Sequence, residues 1–160
     1  MKKTLILAAF IFLSSFAFSQ QPFYRYYNGK MRKHYYTVDF NEYGNGRAGW
    51  ALEGQACLVF NEGDRRDGLV PLLRYNNLRT GDHYYTIHRH EMGDGADGYN
   101  FEGNACFIYK FRVEGTVPLF SYYNQKTGDH FLTIDRRELG RGFNGYTFEN
   151  IAGYVVRGRD

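Results

Sequence analysis

Short runs of alternating apolar and polar residues, broken by Gly, Asn and Asp, fill residues 22–157. Period-two alternation over about four to eight residues is the mark of a half-buried strand. Phe23–Tyr27 is one such run, ended by Asn28-Gly29, and His34–Val38 is the next. In the second run His34, Tyr36 and Val38 share one face, and Tyr35 and Thr37 share the other. Tyr85 with Ile87, and Leu132 with Ile134, hold the first face in later stretches. That face is expected to be buried, and the histidine with it. The two runs and their turn predict an antiparallel hairpin. Asp39-x-x-Glu42 and Asp135-x-x-Glu138 follow at capping-box spacing, with Gly44 and Gly140 close behind. This predicts a single helical turn, with the Asp on the fourth residue's N–H and the Glu reaching back. Trp50–Leu52 and Ala56–Phe60 read as two more short strands, kinked at Glu53-Gly54.

The same pattern occurs three times, over 22–61, 71–110 and 118–157, with starts 49 and 47 residues apart. Tyr26, Tyr75 and Tyr122 align, as do Asn28, Asn77 and Asn124, and His34, His83 and His130. Further on, Gly49-Trp50, Gly98-Tyr99 and Gly145-Tyr146 align, then Glu53, Glu102 and Glu149, then Ala56, Ala105 and Ala152. An internal repeat decides fold class before any single element does. Three units are too few for a propeller. The expectation is an all-β, β-trefoil-like closed domain with pseudo-threefold symmetry, each copy giving about four short strands and one helical turn. Asn61–Val70 and Lys110–Val117 are the linkers.

A length of 160 residues suits one domain, over 20–160. Residues 1–19 read as a cleavable signal peptide: Lys2-Lys3, an apolar run from Leu5 to Phe16, then Ala17-Phe18-Ser19. The rest carries no apolar stretch of membrane-spanning length. The formal charge of +3 becomes +1 once Lys2 and Lys3 are removed, with no basic stripe, so nucleic acid is not an expected partner. The expectation is a monomer, secreted or periplasmic.

Chemistry is sparse in this pattern. There is no G-x-S-x-G, no H-E-x-x-H and no phosphate loop. Acid–base catalysis needs two carboxyls of unequal pKa, whereas Glu53, Glu102 and Glu149 are equivalents of one another. No enzyme activity, cofactor or metal is therefore expected. The candidate ligand-binding residues are Trp50, Tyr99 and Tyr146, the three glutamates, and the Asp82-His83 and Asp129-His130 pairs. The histidines allow a structural reading, as buried imidazoles held by a carboxylate or carbonyl, beside a binding one. Aromatic faces with amide and carboxylate neighbours suit sugar rings. Trp50, Tyr99 and Tyr146 equally suit a packed corner behind a glycine. Cys57 and Cys106 share one offset, with Gly153 in the third copy, and are a candidate disulfide.

The text P-x-x-R-Y-Y-N…T-G-D-H-Y-Y-T…G-Y-x-x-E-G-x-A resembles an uncharacterised tandem-repeat family of secreted and surface bacterial proteins. Such repeats are often appended to cell-wall hydrolases. The resemblance implies a binding module whose partner is a glycan or another envelope component; a protein-interaction or envelope-structural module is the alternative. Copy one departs most, with Arg32-Lys33 where the others have Gly-Asp; if T-G-D-H is a binding motif, copy one is expected to be the dead site.

Overall fold

Each sequence copy builds a similar local unit. The first comprises β1 (Gln21–Asn28), β2 (Lys33–Thr37), a 3-10 turn (Phe40–Glu42), the short β3 (Gly46–Arg47) and β4 (Trp50–Val59). The second comprises β5 (Leu69–Asn77), β6 (Asp82–Thr86), α1 (Arg89–Met92) and β7 (Tyr99–Tyr109). The third comprises β8 (Thr116–Asn124), β9 (Asp129–Thr133), α2 (Arg136–Leu139) and β10 (Tyr146–Val156). The computed structural model describes residues 20–158, so the expected signal segment lies outside the described residues. The domain is all-β apart from these single helical turns.

The hairpins follow from one asparagine. Asn28, Asn77 and Asn124 end their strands, and each side-chain oxygen accepts backbone N–H groups of the turn, such as Met31 at 3.1 Å and Lys126 at 3.1 Å. These are side-chain mimics of a backbone turn. The same asparagines lie beneath Gly49, Gly98 and Gly145, where a Cβ would come within 3.1–3.2 Å of the amide. Those glycines also have φ of +85° to +88°, so a side chain is disfavoured twice over.

The third strand of each unit corrects two expectations. Trp50–Val59 is one continuous strand, not two, so a unit has three principal strands. Its break is a pair of bulges. Against β1, Phe23 pairs with Cys57 but Tyr24 with Gln55, and Arg25 pairs with Gly54 but Tyr26 with Leu52. Ala56 and Glu53 are therefore the extra residues. Ala105 and Glu102, and Ala152 and Glu149, occupy the same places in β7 and β10. The recurrent E-x-x-A thus encodes two bulges, which bend the strand and re-aim the Glu side chain. The capping box is corrected too. Asp39 and Asp135 accept from Asn41 and Arg137, two residues on. Glu42 does not reach back but takes the Tyr35 hydroxyl at 2.6 Å. A cap there would leave a buried phenol without its acceptor.

The sheet path runs β2-β1-β4-β10-β7-β5-β6, with β8 on β10 and β9 on β8. Past their bulges, the long strands meet one another at Leu58↔Val156, Tyr109↔Tyr154 and Phe60↔Phe107. Here lies the main core, with Phe23, Leu72 and Leu119 and with Tyr36, Tyr85 and Leu132 at one shared offset. Strand β2 is buried on both faces, because Tyr35 enters a second cluster with Tyr26 and Trp50. Tyr26, Tyr75 and Tyr122 each donate to the carbonyl of Gly44, Gly93 or Gly140 at 2.9 Å, which ties the helical turn to its hairpin. Cys57 and Cys106 are buried free thiols in the main core. At Gly153 a Cβ would strike Ile108 at 2.5 Å, so this glycine makes room for isoleucine rather than for a disulfide.

Two tyrosines join the units through the core. The Tyr36 hydroxyl donates to the Leu132 carbonyl at 2.9 Å and accepts from the Leu132 N–H at 2.8 Å. Tyr85 does the same to the backbone of Tyr36, at 3.1 and 2.9 Å. Removing either hydroxyl orphans a buried N–H and carbonyl. Tyr36→Phe and Tyr85→Phe should each lower the unfolding free energy by about 1–3 kcal/mol in denaturant melts.

Candidate functional site

The equivalent histidines do not sit with the aspartates beside them in sequence. Successive strand residues face opposite ways. Asp82 and His83 therefore point to different neighbours, as do Asp129 and His130. Each aspartate reaches into another unit. Asp129, fully buried, accepts from the His34 backbone N–H at 2.7 Å and contacts His34 Nδ1 at 2.6 Å. It also accepts the Tyr146 hydroxyl. Asp82, likewise fully buried, takes the His130 N–H at 2.9 Å, His130 Nδ1 at 2.6 Å and the Tyr99 hydroxyl at 2.5 Å. An ionised carboxylate only accepts, so Nδ1 of His34 and of His130 carries a proton, and in the neutral ring Nε2 then presents a lone pair.

The third place in this cycle is broken. Lys33 stands where Asp82 and Asp129 stand in their units, and it does not face His83. Its ammonium donates to the Thr127 and Gly128 carbonyls at 2.5 and 2.7 Å. His83 is left with Nδ1 buried and unpaired. Trp50 replaces the tyrosine at this place, 6.4 Å from the His83 ring, and Tyr35 packs edge-on to it at 4.7 Å. The substitution in copy one thus removes the clasp from the histidine of copy two, a displacement that the linear sequence hides.

The bulged glutamates come to the outer side of the imidazoles. Glu53 lies 3.5 Å from His34 Nε2, Glu102 3.7 Å from His83 Nε2 and Glu149 3.8 Å from His130 Nε2. Arg25 and Arg74 hold Glu53 and Glu102 at 2.8 Å, while Ser121 holds Glu149 at 3.1 Å. These partners were absent from the candidates, although Arg25, Arg74 and Ser121 keep a constant spacing to the glutamates. The structure brings His34, Glu53, Asp129 and Tyr146 together, and separately Asp82, Tyr99, His130 and Glu149. Glu102 and His83 stand apart with Trp50, which is buried.

A recess of about 420 Å³ opens at His34. Tyr27, Arg32, His34 and Glu53 line it from the first unit, and Asn124, Thr127, Asn144 and Tyr146 line it from the third. Tyr27 packs at a tilt on the His34 ring at 4.8 Å and Phe131 meets it edge-on at 4.7 Å. Its lining combines the His34 ring and the Glu53 carboxylate with the side chains of Arg32, Asn124, Thr127 and Asn144. Among the described residues no group of three or more His, Cys, Asp and Glu is placed to hold a metal ion.

The chain matches a family described as a domain of unknown function, DUF5648, over residues 16–156. It belongs to that family. No curated protein and no solved structure matches the chain. No helix among the described residues is long and apolar enough to cross a membrane.

The clasps carry a pH signature. Burial pushes the Asp82 carboxyl up, but the His130 ring and N–H and the Tyr99 hydroxyl outweigh it, and the result lies below the usual value. Asp82 therefore stabilises fully above its unfolded pKa of about 4, and that contribution is lost as pH falls through its lower folded value. Burial, partly opposed by Glu102, pushes the unclasped His83 below its usual range. The unfolded chain takes up that proton first, so stability declines as pH falls below about 6.5. His34→Phe and His130→Phe should each cost about 2–4 kcal/mol by stranding a buried carboxylate. His83→Phe should be neutral or stabilising, and should remove the decline below pH 6.5 in urea melts recorded across pH.

Proposed function

We propose that this chain is an exported, non-enzymatic module that binds glycans in the recess between its first and third units. The observation that carries the reading is the pairing of chemistry in that recess. An aromatic wall, Tyr27 and Tyr146, suits the apolar face of a sugar ring. Two fixed acceptors, His34 Nε2 and Glu53, suit two neighbouring hydroxyl donors. The acceptors are held in place. Asp129 fixes the imidazole and its tautomer, and Arg25 fixes the carboxylate. Such preorganisation lowers the ordering cost of binding. Asp129 already takes three donors, which favours a supporting role for it over a reacting one.

The same reading takes the three units as a closed β-trefoil. Its support is the mutual pairing of β4, β7 and β10 past their bulges, with Phe60↔Phe107 joining the first long strand to the second. Export rests on the form of residues 1–19 alone.

A glycan array with the purified protein, followed by calorimetry, tests the function. Binding of at least one glycan class should fall about tenfold or more in Glu53→Gln, which removes a charge-assisted acceptor. The thermal midpoint should barely move, because Glu53 is a partly exposed bulge residue. Absence of glycan binding, with capture of a protein ligand instead, would favour an interaction module.

A further inference from the structure

We infer that the ligand of this recess is a sugar bearing an oxyanion, carboxylate or phosphate, with Arg32 as its counter-ion. The inference rests on the glycan-binding reading and narrows it. Arg32 stands where the other two hairpin turns have Gly81 and Gly128. Those glycines have φ of +72° and +66°, and Arg32 has φ of +57°. An L side chain adopts this left-handed conformation only at a cost. The turn itself gives no reason for it: the Arg32 N–H bonds the Asn28 carbonyl at 2.7 Å, as Gly81 and Gly128 bond Asn77 and Asn124 at 2.7 Å. What arginine adds is a guanidinium, on a residue that lines the recess.

The other charges there are already engaged. Glu53 is held by Arg25, Asp129 by its three donors, and the Lys33 ammonium by two carbonyls. Among the described residues the Arg32 side chain makes no hydrogen bond or ion pair. A planar guanidinium with five N–H donors matches a carboxylate or phosphate in a two-pronged contact. It lines the same recess as His34 and Glu53, so one sugar can present hydroxyls to those two and an oxyanion to Arg32.

The counterpart place at His130 reverses this electrostatics. Gly128 replaces Arg32, and Asp97 replaces Asn144 at a matching φ, +52° against +53°. An anion is disfavoured beside Asp97, so one anionic sugar should bind per chain.

The test compares matched pairs at low ionic strength, since an exposed ion pair is screened by salt. The probes are oligogalacturonate against neutral galactan, and phosphomannan against neutral mannan, titrated into wild type, Arg32→Gly and Arg32→Lys. Wild type should bind at least one anionic probe about tenfold more tightly than its neutral partner, with one site per chain. The pair that shows the preference identifies carboxylate or phosphate. Arg32→Gly should abolish the preference while neutral binding is kept, and Arg32→Lys should retain part of it. The thermal midpoint of Arg32→Gly should be unchanged or higher, because glycine suits this φ. Neutral binding with no anionic preference, or a preference that survives in Arg32→Gly, overturns the inference and leaves the glycan reading standing. Failure of all four probes and of the wider array overturns both.

Discussion

A carboxylate with no exposed surface has to be surrounded by donors, and at Asp82 and Asp129 those donors come mostly from another unit. This constraint shapes much of the molecule. Burying an unpaired charge is strongly unfavourable, so the unit that supplies the aspartate is stable only when docked on the one that supplies the histidine. The clasp fixes the orientation of the imidazole, and the imidazole faces the bulged glutamate. Hydrogen bonding in the interior and the geometry of the outer recess are therefore one arrangement. The core tyrosines add a second set of unit-to-unit bonds, from Tyr85 to Tyr36 and from Tyr36 to Leu132.

Much of this was legible in the sequence as a pattern, less of it as geometry. The hairpins, the single helical turns and the burial of the histidines follow from alternation, from Asn28 and its equivalents, and from the repeat. The E-x-x-A spacing was visible, but its meaning as two bulges was not, since a bulge is defined by the partner strand. Asp82-His83 looks like one local site because the residues are adjacent. Strand geometry separates them, and only the placement of units shows that Asp82 serves His130. Glu42 fits a capping box, yet the Tyr35 hydroxyl claims it. Gly153 invited a disulfide reading, and the space is filled by Ile108.

The departures from the repeat set the three places apart. Lys33 and Trp50 dismantle the clasp at His83, Ser121 replaces an arginine beside Glu149, and Arg32 brings a cation to the recess at His34. Three nearly equivalent places have thus become three different ones. The recess at His34 is the one that combines an intact clasp, an arginine-held glutamate and an unpaired cation.

Histidine tautomers test the clasps most directly. Long-range nitrogen–proton NMR at pH 8, assigned by single substitutions, reads which ring nitrogen carries the proton. The account predicts Nδ1–H for His34 and His130, each donating to its aspartate. For His83 it predicts Nε2–H, facing Glu102 at 3.7 Å. Nε2–H at His34 or His130, or the same tautomer at all three histidines, would contradict it.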